Sequence, residues 1–144
     1  MPSIERKLVD GQAAPFSHYC HVVRAGDQIW VSGTVGISKD GSIPCGVVEQ
    51  FDVALQNMDA CLKAFGAGAE NVVKVTVYLT DVDDRAAINP ARQRYFGAHR
   101  PASTLVEVSG AQDACDALIE RALHNGGKDN VTVIVADLDV ARVS

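Results

Sequence analysis

Apolar positions recur along the chain in short blocks whose period changes several times. His21-Val22-Val23-Arg24-Ala25, a Gly26-Asp27 turn and Gln28-Ile29-Trp30-Val31-Ser32-Gly33 read as a hairpin of β-branched and aromatic residues. From Val48 the period becomes helical. Phe51, Ala54, Leu55, Met58, Cys61, Leu62 and Phe65 recur at steps of three and four, and Glu49, Gln56, Asp59 and Lys63 fill the polar complement. Gly66 and Gly68 supply the stop. Val72 to Leu79 is valine-rich and predicts a strand. Asp81 to Asp84 is a polar break, either a solvated turn or the cap of a second helix over Arg85 to Phe96. Pro90 either opens the later part of that segment or sits in a kinked helix. Ala102 to Val108 alternates as a strand. Ala114, Leu118, Ile119, Ala122 and Leu123 share a third helical face, Asn125-Gly126-Gly127 ends it, and Val131 to Leu138 is a final strand. Residues 1–15 read as an irregular arm. No linker or repeat interrupts the series, so residues 1–144 form a single α+β domain.

Composition narrows the function classes. Hydrophobic residues make up 47% and charged residues 22%, a globular balance. The net charge of -5 and the pI near 5.2 lack the basic footprint of a nucleic-acid binder. No apolar run reaches the ~20 residues that span a bilayer. Met1 to Asp10 carries charges and no apolar stretch, so no secretory signal is expected. Cys20, Cys45, Cys61 and Cys115 are irregularly spaced and form no CxxC pair, which points to free thiols in a cytoplasmic protein.

The familiar catalytic constellations are missing. His18, His21 and Cys20 give no tetrahedral ligand set, and His18 and His21 fall on opposite faces if a strand covers them. Ser32 lies in Val-Ser-Gly without the G-x-S-x-G elbow and suits a turn or bulge. Gly26, Gly33, Gly36 and Gly41 make no phosphate cradle. Glu107 alternates against Val106 and Val108, so it meets solvent or lines a subunit interface, where it would need a partner.

Several stretches in order resemble the Rid (YjgF) family of enamine/imine deaminases. They are Pro15-Phe16-Ser17, Val23-Arg24-Ala25-Gly26-Asp27, Trp30-Val31-Ser32-Gly33, Val72 to Asp81, Ile88-Asn89, Tyr95-Phe96-Gly97 and Arg100 to Val108. Together they cover about residues 14–110. The resemblance implies a chorismate-mutase-like mixed sheet with helices on one face. It also implies a homotrimer with a central barrel and substrate clefts between subunits. Apolar residues on the second strand face, Val75, Val77 and Leu79 against Lys74, Thr76 and Tyr78, fit such cover. The implied reaction hydrolyses a small 2-imino acid to a 2-keto acid and ammonia, without metal or organic cofactor. Implied partners are the small-molecule substrate and other copies of the chain, with no nucleic acid or membrane. Ribonuclease activity, an older attribution within this family, fits poorly with the acidic pI and the lack of a His/Lys cluster.

The resemblance assigns Ser103 and Glu107 as the catalytic pair. It assigns Phe16, Ser32, Gly33, Asn89 and Arg100 to substrate binding, with a turn role before Pro90 equally open for Asn89. The family's carboxylate-binding arginine follows Pro-Ala; here Pro101-Ala102 is followed by Ser103. Arg100 would lie about 10 Å from Ser103 on the opposite strand face. The family tyrosine is Phe16. The terminal Val-Glu-Ile-Glu-Ala strand, whose second glutamate orients water, has no clear equivalent. Residues 112–138 are instead similar to the C-terminal end of metal-dependent serine/threonine protein phosphatases, through Gly126-Gly127-Lys128-Asp129-Asn130. One aspartate cannot hold a divalent metal pair, so phosphatase activity is not expected. The reading is a composite chain whose atypical segment, 112–144, supplies Val131 to Val135 as the missing strand. It is either an enamine/imine deaminase with an altered pocket or a catalytically weak or inactive trimeric ligand-binding protein of the same fold.

Overall fold

The computed structural model describes Met1, residues 3–108 and the backbone of Val133–Asp139. Six strands are present among these residues: β1 (Ile4–Lys7), β2 (Val22–Ala25), β3 (Gln28–Val35), β4 (Lys74–Leu79), β5 (Ala102–Glu107) and β6 (Val133–Asp139). Two long helices, α1 (Val47–Lys63) and α2 (Arg85–Phe96), separate β3 from β4 and β4 from β5. The strands form one mixed sheet in the order β1-β2-β3-β6-β4-β5. All neighbours are antiparallel except β4 and β5, which the α2 crossover makes parallel. The third helix expected around Ala114 to Leu123 lies outside the described residues.

β6 takes the place expected for the terminal strand. It enters between β3 and β4, antiparallel to both. The register on β3 shifts between Val31, paired with Ala136, and Thr34, paired with Ile134. Ser32 and Gly33 therefore stand opposite a single β6 residue, the bulge that the Val-Ser-Gly triplet suggested.

The helices cover one sheet face. α1 buries Phe51, Ala54, Leu55, Met58, Cys61 and Leu62 against Val22, Ile29 and Val31 of the hairpin and against β4. α2 adds Ile88, Ala91 and Phe96. Each of the larger side chains, Phe51, Leu55, Met58, Leu62, Ile88 and Phe96, contributes about 1.5–3 kcal/mol of burial. α1 ends where Ala67 N–H returns to Leu62 C=O, and Gly66 takes φ +74° to make that reversal. α2 runs unbroken through Pro90, whose ring sits on an exposed position of the helix.

Two expectations change. Val75, Val77 and Leu79 are each 1% exposed and lie under the helices, so they are not the face left for another subunit. The face away from the helices, uncovered by them among the described residues, carries Trp30, 38% exposed, in register with Lys74 and Ala102 across the sheet, and Tyr78 in register with Val106. The N-terminal arm also contains a strand. Ile4-Glu5-Arg6-Lys7 has no apolar alternation, but an edge strand needs only one row of backbone partners, and β2 provides it. Glu5 pairs across the ladder with Arg24, and Lys7 Nζ donates to Ala64 C=O at 2.6 Å, tying β1 to the end of α1.

Gly36 follows β3 where the chain passes α1. A Cβ there would lie 2.5 Å from Gln50 C=O and 2.6 Å from Gln50 Cα. These are helix backbone atoms and cannot swing aside. Gly36→Ala is expected to lower stability by about 1–3 kcal/mol in urea unfolding; an unchanged midpoint would contradict this close packing.

Burial raises the Cys61 thiol from 9.0 to about 11. Burial, followed by the charge of Asp59, raises the Tyr95 hydroxyl above 10.0; that hydroxyl donates to Asp59 Oδ1 at 3.0 Å. In both cases the folded chain holds its proton more tightly than the unfolded chain. Their contribution is complete below pH 9 and is lost as pH rises, for Cys61 between pH 9 and about 11. Urea titrations at pH 8 to 11 should show falling stability, at most about 1.4 kcal/mol per pH unit for Cys61. The slope should flatten in Cys61→Ala; an equally steep slope in that variant would refute the assignment.

Candidate functional site

The β3 bulge and the N-terminal arm build a first, small cavity. Gln12, Ala13, Phe16, His21, Ser32, Gly33 and Asn57 are among the residues lining its roughly 40 Å³. His21 is buried between two backbone groups: Nδ1 accepts Val9 N–H at 2.8 Å, and Nε2 lies 3.1 Å from Ala13 C=O. This arrangement selects the tautomer with hydrogen on Nε2 and fastens the arm to the sheet. Ser32 Oγ donates to Cys20 C=O at 2.6 Å, so its hydroxyl is committed to backbone. The Asn57 amide donates from α1 to Val35 C=O at 3.1 Å and Ile37 C=O at 3.0 Å, closing the chain as it leaves β3. Phe16 packs its ring against the group formed by Val35, Ile37 and Val108.

A second, wider cleft of about 560 Å³ opens beside α2 and the turn into β5. Asn89, Arg92, Gln93, Phe96, Gly97, His99, Arg100 and Pro101 form its walls. Asn89, Arg92, Gln93 and Phe96 follow one another at i, i+3, i+4 and i+7, so a single face of α2 supplies them. Ser103 is paired in register with Val75 and lies on the helix-covered side of β5. There its Oγ accepts a hydrogen bond from Arg92 Nη2 at 2.8 Å. Glu107, at the end of β5, accepts Val82 N–H on Oε2 at 2.7 Å and so holds the turn that leads into α2. Its side chain is exposed, consistent with the solvent or interface position expected from alternation.

The expected site residues thus fall into separate groups within one protomer. Phe16, Ser32 and Gly33 meet at the bulge. Asn89 and Arg100 share the α2 cleft, with Ser103 joined to it through Arg92. Glu107 lies at the far end of β5. Sequence reasoning missed Arg92, His21 and Asn57. The helical spacing of Asn89, Arg92 and Phe96 was the available signal for Arg92; His21 and Asn57 act through backbone contacts that no spacing announces. Among the described residues, no group of three His, Cys, Asp or Glu side chains is placed to hold a metal ion.

This mixed sheet with two helices on one face is an architecture shared by a class of small proteins. The chain matches the model of the family described as Endoribonuclease L-PSP over residues 11–122, and it belongs to that family, the Rid/YjgF proteins. The match extends past residue 110, where the sequence resemblance ended. The chain is 38% identical over 124 residues to the RutC family protein UK114 of Drosophila melanogaster, covering 83% of this chain and 88% of that one. It is 36% identical over 113 residues to a Mus musculus protein named 2-iminobutanoate/2-iminopropanoate deaminase, covering 76% of this chain and 84% of that one. The crystal structure of E. coli TdcF with bound serine superposes with a TM-score of 0.74 at 25% identity, over 95% of this chain and 100% of that chain.

The first cavity yields a direct test. Asn57→Asp would turn two donated hydrogen bonds into acceptor facing acceptor. It should cost about 1–3 kcal/mol and raise amide exchange in the segment after β3. Wild-type exchange there would show that these bonds do not hold the wall.

Proposed function

We propose that this chain is a cytoplasmic Rid-type hydrolase that converts a small, carboxylate-bearing enamine or imine to the keto compound and ammonia, working as a homotrimer. The observation carrying the reading is the separation of the site residues into incomplete groups on different parts of one protomer. Subunits pressed together through the open sheet face would let one protomer's bulge adjoin another's β5 edge. Trp30 and Tyr78 on that face support such contact. The deaminase name carried by the mouse relative supports the reaction. The serine held by the TdcF neighbour supports a small amino-acid-like ligand.

The chemistry asks little of the protein. A protonated imine carbon is already electrophilic. Water adds to it, the carbinolamine loses ammonia, and the C=N bond is exchanged for C=O with one water consumed. Orientation supplies most of the rate enhancement. Glu107 has one oxygen anchored on Val82 N–H, and Oε1 has no protein partner among the described residues. That oxygen can orient and deprotonate the attacking water. Arg100 and Asn89 meet the substrate from the α2 cleft, Ser103 offers a hydroxyl beside it, and Phe16 packs on the carbon chain. Ser32 and Gly33 shape the bulge behind.

The second reading, a binding protein without turnover, is favoured by Ser103 standing where the family arginine is expected. One experiment separates the two: ammonia release from freshly generated 2-iminobutyrate, measured for wild type and Ser103→Arg, with mass determined by light scattering. Release by wild type, and a mass three times the 15.3 kDa protomer, are expected. Release only by Ser103→Arg would favour the binding protein. A strictly monomeric, fully folded chain would overturn both readings.

A further inference from the structure

The α2 cleft holds a cation that the site assignment above does not use. Arg92 is half-buried, and burial lowers its affinity for its proton, with no acidic neighbour to offset that effect. Among the described residues it makes no ion pair, whereas Arg24, Lys63 and Arg94 pair with Glu5, Asp59 and Asp52. A guanidinium has five N–H donors. Their one protein partner among the described residues is the neutral Ser103 hydroxyl, 2.8 Å from Nη2. Among the described residues the cleft walls around it carry Asn89, Gln93, His99 and Arg100 and no carboxylate. A partly desolvated fork that meets no counterion and no acidic wall among the described residues is suited to an external anion.

The geometry points to Arg92 as the residue that binds the substrate carboxylate, reaching from α2 to the position where a β5 arginine has been replaced by Ser103. This rests on the imine-hydrolase reading and names the residue that holds the carboxylate that reading requires. Ser103 becomes a positioning residue: its oxygen holds Nη2, and its own O–H remains able to donate to the same carboxylate. The loss of arginine from the strand then does not leave the pocket without positive charge. Arg100, exposed at the cleft mouth, adds a second positive charge in the same opening.

Binding is measured by calorimetry with 2-oxobutyrate, the product acid, and with uncharged 2-butanone as the control, on the oligomer as purified. Arg92→Gln should weaken 2-oxobutyrate by about tenfold or more and leave the control unchanged. Arg92→Lys, which keeps the charge but not the fork, should fall between. The double variant Arg92→Gln with Ser103→Arg should recover affinity by returning a guanidinium to β5. Ammonia release is measured in parallel on the same proteins. Arg92-dependent binding without ammonia release would uphold the carboxylate site and remove the hydrolase reading. Ammonia release unaffected in Arg92→Gln and Arg92→Lys would overturn the role of Arg92 and leave that reading standing. Loss of affinity in Arg100→Gln but not in Arg92→Gln, or no binding of 2-oxobutyrate by wild type, would also overturn it.

Discussion

Between β3 and β4 the sheet has room for one strand, and the fold depends on that space being filled. Both neighbours carry the apolar residues of the core, and both present backbone N–H and C=O groups toward the gap. Left open, these groups would lose their strand partners, and the sheet would split into two halves. Val133–Asp139 fills the gap and pairs on both sides. A segment far along the chain therefore joins the hairpin half of the sheet to the βαβ half. The bulge at Ser32 and Gly33 follows from the same pairing, because β3 carries one residue more than its β6 partner at that point.

The distribution of polar groups follows from this layout. At the bulge, Ser32, His21 and Asn57 all spend their hydrogen bonds on backbone, so that cavity is built from shape more than from reactive groups. At the α2 and β5 edge the opposite holds. Arg92, Arg100 and His99 line a wide opening, and Glu107 keeps one carboxylate oxygen without a partner among the described residues. The first region reads as a wall and the second as the part that meets charge. Within one copy the two regions share no lining residue.

Some of this was legible along the chain. The step of three and four from Phe51 to Leu62 marks α1 because burial on a helix repeats at its turn. Gly26 and Gly66 mark reversals because they occupy positive φ. The Val-Ser-Gly triplet suggested a turn or bulge, and the final strand expected over Val131 to Leu138 is found over Val133–Asp139. Other features were misread. Val75, Val77 and Leu79 alternate with polar residues, but alternation alone does not say which face the helices will cover. Ile4 to Lys7 has no apolar period, since an edge strand is held by its backbone and by charges at its rim.

The sequence by itself determined β2 to β5, both long helices, most of the described core and membership in a family, because periodicity, turn chemistry and ordered motifs are local properties. The family resemblance also carried the expectation of an arginine where this chain has Ser103. Only the tertiary structure decided that β6 lies between β3 and β4, and that the guanidinium of Arg92 reaches Ser103. Both are meetings of groups brought together by chain crossovers, through backbone pairing in one case and a helix laid against an edge strand in the other. Residue spacing does not encode such crossovers, and the packing of the shared core fixes them.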